Sequence, residues 1–301
     1  MKGIILSGGL GTRLRPLTNV VSKQLLPVYD KPMIYYPMST LLRAGIREIA
    51  LISTPTALPQ FAELLGDGSR FGVNMTYIPQ LNPAGIAQAF ILAEDFIHND
   101  YVTLVLGDNI FHGQEETIKD ILVYSQGTPA GVKLFGYRVA DPSRYGVACF
   151  DAYSKLVKIK EKPLATAAPS NVAITGLYKY NGTVSERAKA LKPSARGELE
   201  ITDLNNQFIE EGTAQLYTIS GTWLDMGSPE SLLQASNYVQ TIQSRQGVQI
   251  ACLEEVAYEN EMIGVSELEK AHEFYLGTEY GEYIGKILNV PRWETQQRYV
   301  L

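Results

Sequence analysis

The chain has 301 residues, with 45% hydrophobic and 19% charged side chains and a formal net charge of −6. That length can bury a large core in one α/β domain, or in one domain and an appendage, and the composition is that of an ordinary globular protein. The negative charge excludes nonspecific nucleic-acid binding, which needs excess lysine and arginine to displace phosphate counterions, while two separated cysteines, Cys149 and Cys252, exclude a disulfide framework or a zinc pattern.

The first expected element is a buried strand over Ile4, Ile5 and Leu6, which follows Met1 too closely for a signal segment. No apolar run nears the roughly 18 residues of a membrane span, so a cytoplasmic location without membrane attachment is expected. Further strands are predicted at residues 49–53, 75–78 and 101–106, each short and bounded by Gly, Pro or Asn. Between them Ile86, Ala89, Phe90 and Ala93 recur with helical spacing. Strand and helix thus alternate, the pattern of a parallel sheet between helices. From Gly131 the runs at 132–137, 147–150 and 156–160 follow one another too closely for crossovers and predict antiparallel additions. Residues 172–180 predict another strand, 200–211 a helix, and 215–219 the last convincing strand. Ser228 as N-cap and Pro229 at the first helical position start a long helix with Leu232, Ala235, Ser236, Val239 and Ile242 along one face. Beyond Gly247 the chain is helix-rich, ending in a polar tail from Arg292. The expectation is α/β, a three-layer mixed sheet flanked by helices, with a core at 1–244 and a small C-terminal helical extension at 245–301.

The chemistry concentrates where strands end, since open α/β sheets bind ligands at the carboxyl ends of their strands. The first strand breaks at Ser7 into Gly8, Gly9 and Gly11, followed by Thr12 and Arg13. Glycines let successive backbone N–H groups turn toward one anion, and Arg13, Arg15 and Lys23 add full charges, so the expected guest is a polyphosphate. No Gly-Lys-Ser/Thr triplet occurs, and Leu14 stands where a dinucleotide loop needs its third glycine. Gly107-Asp108-Asn109 follows another strand and reads either as a turn or cap, or as a carboxylate holding a magnesium ion beside phosphates. The segment 221–227, with Trp223-Leu224-Asp225, reads as a loop with a core Trp or as a second metal carboxylate. Glu161-Lys162-Pro163 is a solvated rim or a site. Gln24 and Gln80 carry amides complementary to a pyrimidine imide edge, though exposed glutamine is commonplace. His98, His112 and His272 lie outside every one of these motifs.

The string at residues 8–18, G-G-x-G-T-R-L-x-P-L-T, followed by S-K-Q-L-L-P at 22–27, resembles the signature of the sugar-1-phosphate nucleotidyltransferases. KQLLPVYDKPMIYYP at 23–37 is similar to their glucose-1-phosphate thymidylyltransferase branch, as are LKPSARGELEITDLN at 191–205 and IACLEEVAY at 250–258. The resemblance implies a mixed α/β homotetramer that converts dTTP and glucose 1-phosphate into dTDP-glucose and pyrophosphate with Mg²⁺, feeding dTDP-rhamnose synthesis. It implies metal ligands Asp108 and Asp225, and catalytic Arg13, Lys23 and Lys162. The implied nucleotide site is Leu6, Gly8, Gly9, Gly11, Thr12, Arg13, Gln24, Gln80, Pro83, Gly85 and Asp108. The implied sugar-phosphate site is Asn109, Tyr145, Gly146, Glu161, Lys162, Val172, Arg196 and Trp223. Relatives are often inhibited by end product at a second nucleotide site. Here Tyr258 is followed by Glu259-Asn260-Glu261, no arginine lies between Gln215 and Trp223, and Phe111-His112-Gly113 departs from the usual order. Weakened or altered feedback is therefore expected.

Overall fold

The computed structural model describes residues 1–123 and 131–292, so all but the first residue of the expected polar tail lies outside the described residues. The opening stretch forms β1 (Lys2–Leu6), a small hairpin of β2 (Pro27–Val28) and β3 (Lys31–Pro32), and α1 (Tyr35–Arg43). Then come β4 (Glu48–Ser53), α2 (Leu58–Leu65), β5 (Asn74–Pro79), α3 (Gln88–Leu92), α4 (Glu94–Ile97) and β6 (Val102–Leu106). The middle holds β7 (Asn109–His112), α5 (Glu115–Val123), β8 (Val132–Arg138), β9 (Gly146–Phe150), β10 (Leu156–Glu161) and β11 (Val172–Tyr180). It continues into α6 (Val184–Ala190), α7 (Ile201–Glu210), β12 (Ala214–Thr218) and β13 (Thr222–Asp225). Helices α8 (Pro229–Gln246), α9 (Leu253–Glu259), α10 (Val265–Phe274) and α11 (Glu279–Leu288) close the described chain.

The main sheet has nine strands in the path β10-β9-β11-β6-β1-β4-β5, with β8 beside β11 and β12 beside β8. Strands β6, β1, β4 and β5 pair in parallel, and β11 joins them antiparallel. Successive strand side chains point to opposite faces, and both faces are covered, which explains why these strands read as continuous apolar runs. Ile5, Leu51 and Val105 face one core with α1, α2 and α5; Ile4, Ile52 and Leu104 face the other with α3, α6 and α7. The mixed sheet between two helical layers is the expected fold, and the closely spaced runs after Gly131 are indeed antiparallel.

Two local expectations are corrected. The helix expected through Ile86, Ala89, Phe90 and Ala93 is present but shorter, α3 covering Gln88–Leu92 before a separate turn, α4, starts at Glu94, because Ala93 leaves helical geometry at φ −98°, ψ 16°. Residues 222–225 are not a loop but β13, paired antiparallel with β7, and neither short strand carries the alternation that marks a strand in sequence. The start of α8 is as expected: Ser228 Oγ accepts from Ser231 N at 3.2 Å and Ser231 Oγ accepts from Ser228 N at 3.0 Å. Such a cap is worth about 1 kcal/mol. Beyond Gly247 the described chain is helical, and Leu253, Val256 and Ala257 of α9 join the same core as Ile5 and Leu51, packing against α1.

Candidate active site

The carboxyl end of the sheet opens into a cleft of about 610 Å³. Its lining brings together Thr12, Arg13, Asp108, Asn109, Tyr145, Gly146, Glu161, Lys162, Arg196, Trp223 and Asp225, residues from opposite ends of the sequence. The β7/β13 pair does much of this. Asn109 faces Asp225 in its register, and Met226 N donates to Asp108 O at 3.0 Å, so Asp108, in the turn just before β7, and Asp225, at the end of β13, stand at one mouth. Asn109 is the fastener: its Oδ1 accepts from Trp223 Nε1 at 2.6 Å and from Gly176 N at 3.1 Å, tying β7 to β13 and to the irregular stretch of β11. Trp223 is therefore both core and wall, its ring 5.2 Å from that of Tyr145.

Each aspartate has its own electrostatic setting. Burial pushes the Asp108 carboxyl up, but the Lys23 ammonium and hydrogen bonds from Lys23 and Asn109 outweigh it and hold the group below the usual carboxylate range. Burial pushes Asp225 up, and there it wins, with the Asp108 charge adding to it, despite Tyr145 Oη donating at 2.7 Å and the guanidinium groups of Arg144 and Arg13. Arg13 reaches this corner beside Gly227, where a Cβ would stand 2.7 Å from Arg13 Nη2.

On the opposite wall, β10 ends at Glu161 and Lys162 follows with φ 39°, in the left-handed region that costs a non-glycine residue about 1–2 kcal/mol. Its Nζ lies 3.3 Å from Glu161 Oε1. Glu161 Oε2 accepts from Thr202 Oγ1 at 2.6 Å, and Arg196, held by Glu200 at 2.9 Å, stands 3.8 Å from Glu161 Oε1. This wall alternates anion and cation, suited to a ligand that carries both hydroxyls and a phosphate.

The remaining predicted residues fall outside this lining. Gly9 and Lys23 border a second cleft of about 440 Å³ with Arg15 and Thr18, and Lys23 links the two clefts through Asp108. Gly8 lies against Gln80, whose Oε1 would be 1.7 Å from any Cβ at residue 8, and Gln80 Nε2 donates to Gln88 Oε1 at 2.7 Å. Gln80 is 2% exposed, so it is a packed wall and not a surface amide. Gln24 is buried and accepts from Ser22 Oγ at 2.9 Å. Leu6 is half-buried at the end of β1, Pro83 is exposed, and Gly85 is half-buried on the loop before α3. Val172 is buried in β11 away from the cleft, whose floor there is Ile174, Thr175 and Gly176. None of the three histidines lines the cleft. Arg144 and Thr202 do, and sequence reasoning missed both. Arg144 directly precedes the marked Tyr145-Gly146, whereas Thr202 carried no signal beyond its place in the first turn of α7. Glu259, expected as a bare repelling anion, is 7% exposed and paired with Arg43 at 3.5 Å, so its charge is compensated inside the protein.

A glycine-rich loop after β1, two aspartates at one mouth and a wall of alternating charge on a mixed α/β sheet suit a phosphorylated ligand. The nucleotidyl transferase family model matches residues 2–242, and the chain belongs to that family. Within it the chain is similar to proteins named glucose-1-phosphate thymidylyltransferase. One from Xanthomonas campestris pv. campestris is 50% identical over 94% of this chain and 95% of its own. Another from Neisseria meningitidis is 49% identical over 96% and 99%. A solved Bacillus anthracis protein, proposed to be the same enzyme and crystallised with a sucrose, superposes with a TM-score of 0.72 at 41% identity, covering 79% of this chain and 94% of that one.

Proposed function

We propose that this chain transfers the thymidylyl group of dTTP to glucose 1-phosphate, releasing pyrophosphate and dTDP-glucose, with Mg²⁺ as cofactor. The observation that carries the reading is the single cleft in which Arg13, Asp108 and Asp225 face Glu161, Lys162 and Arg196. Asp108 and Asp225 offer an all-oxygen donor set beside a phosphate loop, which fits Mg²⁺, an ion that takes one or two carboxylates and completes its shell with phosphate and water oxygens. When bound there it supplies charge neutralisation between the two phosphorylated substrates.

In this reading Lys162 and Arg196 hold the phosphate of the sugar, and Glu161 and Gly146 receive its ring. Arg13 and Lys23 neutralise the triphosphate, and Gln24, Gln80 and Gly85 border the base. A sugar phosphate monoester has a second pKa near 6, by analogy with phosphorylated side chains, so it is largely dianionic at neutral pH and needs no general base. This agrees with a cleft free of histidine. One phosphate oxygen attacks the α-phosphorus in line, a new P–O bond forms, and the bond to the β-phosphate bridging oxygen breaks with its electrons leaving on pyrophosphate. The obstacle is repulsion between two anions, so positioning and neutralisation are the whole task. The same reading makes the protein a cytoplasmic homotetramer with residues 245–301 at oligomer contacts, which sedimentation equilibrium checks.

The test is pyrophosphate release across a matrix of sugar 1-phosphates and nucleoside triphosphates with Mg²⁺. The highest kcat/KM is expected for glucose 1-phosphate with dTTP; a preference for UTP would make the chain a uridylyltransferase, and no release with any pair would end the enzymatic reading. A second expectation concerns Thr202. Replacing it with valine leaves the Glu161 carboxylate unaimed, and loss of a hydrogen bond to a charged group predicts a rise of about tenfold or more in KM for the sugar phosphate. KM for dTTP should stay put and Thr202→Ser should restore binding; an unchanged sugar KM in the valine variant would show that Glu161 needs no such support.

A further inference from the structure

Both aspartates of the cleft are already met by a side-chain cation. Lys23 meets Asp108, and Arg144 Nη2 stands 3.3 Å from Asp225 Oδ2 while its guanidinium lies 5.6 Å from the centre of the Tyr145 ring. The backbone that carries Arg144 is fixed: residues 142–144 form a 3-10 turn opened by Pro142, with Asp141 Oδ1 accepting from Ser143 N at 3.0 Å. Its side chain is 43% exposed, so the head can swing without disturbing the core. Tyr145 Oη binds the other oxygen of Asp225, Oδ1, and the Arg13 charge also bears on this carboxylate. A bare carboxylate beside Asp108 would be repelled, and a guanidinium is the cation best shaped to a carboxylate edge.

We propose that Arg144 is a stand-in cation: it pairs with the Asp225 carboxylate while no divalent ion is bound and would yield that carboxylate when one binds. The inference rests on the proposed two-aspartate metal site. It means that Arg144 keeps the Asp225 side chain in place at the cost of some metal affinity.

The experiment is a titration of substrate-free full-length protein with Mn²⁺, reading the free-ion signal by electron paramagnetic resonance, so no turnover is involved. Removing a competing, partly exposed ion pair predicts Mn²⁺ binding about threefold to fivefold tighter in Arg144→Gln than in wild type. Arg144→Lys, which keeps the charge, should stay near wild type, and Asp225→Asn should bind at least about tenfold more weakly. Unchanged or weaker binding in Arg144→Gln, or equal tightening in both Arg144 variants, overturns the stand-in role while a loss in Asp225→Asn leaves the metal site intact. Equal binding by wild type and Asp225→Asn overturns the metal site and the stand-in role together.

Discussion

Asp108→Asn is expected to lower kcat by about 10³-fold and to destabilise the fold, whereas Asp225→Asn is expected to lower kcat about as far with little loss of stability. The catalytic part follows from removing one charge-stabilising group from a reaction that depends on such groups, a loss of about 10²- to 10³-fold. The stability part separates the two. Asp108 has its folded pKa below the ordinary value, held there by Lys23 against burial, so its ionised form contributes stability at neutral pH that would be lost only as pH falls through that lowered value. Lys23 is 9% exposed, and stripping its partner leaves a nearly buried ammonium alone, which costs about 3 kcal/mol at the low end for such pairs. Asp225 is the reverse case: burial raises its pKa, so the ionised group adds no stability that a neutral amide would forfeit. Urea unfolding at pH 7 together with kcat separates these effects. Wild-type turnover in either variant would contradict the assignment, and equal destabilisation would contradict the electrostatics.

Lys162→Ala is expected to reduce kcat/KM for glucose 1-phosphate by about 10²- to 10³-fold while leaving KM for dTTP and the melting temperature nearly unchanged. Lys162 sits where β10 gives out, its amide donating to Tyr145 O at 2.9 Å, and its left-handed backbone is borne by the surrounding hydrogen bonds. Its side chain is 48% exposed, so truncation removes little packing. What is lost is a point charge opposite the incoming phosphate, a group that acts on one substrate only. Steady-state kinetics with each substrate varied in turn is the check. An equal loss toward both substrates would place Lys162 elsewhere in the reaction, and no loss would remove it.

The parts of this molecule legible in sequence are those governed by one dominant local signal. The strands of the parallel core are apolar runs buried on both faces, and the N-terminus of α8 is announced by Ser228 and Pro229. The glycine loop and the strand-end acids were legible as candidates because phosphate and metal chemistry restricts residue types at those places. Pairing was not legible. β7 and β13 are four residues each, and they exist because Asn109 and Trp223 find each other across 114 positions, a contact no local pattern encodes. The same holds for Thr202 with Glu161 and Arg144 with Asp225, where an ordinary residue gains its role only from a neighbour distant in the chain. Val172 shows the converse: it shares a strand face with Ile174 and joins the same core, but it sits further along β11, where the cleft lined by Ile174, Thr175 and Gly176 no longer reaches.

The most direct measurement is a crystal structure of the protein with Mg²⁺ and a non-hydrolysable dTTP analogue together with glucose 1-phosphate. The expected result is one Mg²⁺ with an oxygen of Asp108 and an oxygen of Asp225 both at about 2.0–2.1 Å, and phosphate oxygens from the nucleotide in the same shell. An ion bound by only one of these aspartates, or a fully loaded complex in which their carboxylates hold no ion between them, would contradict it.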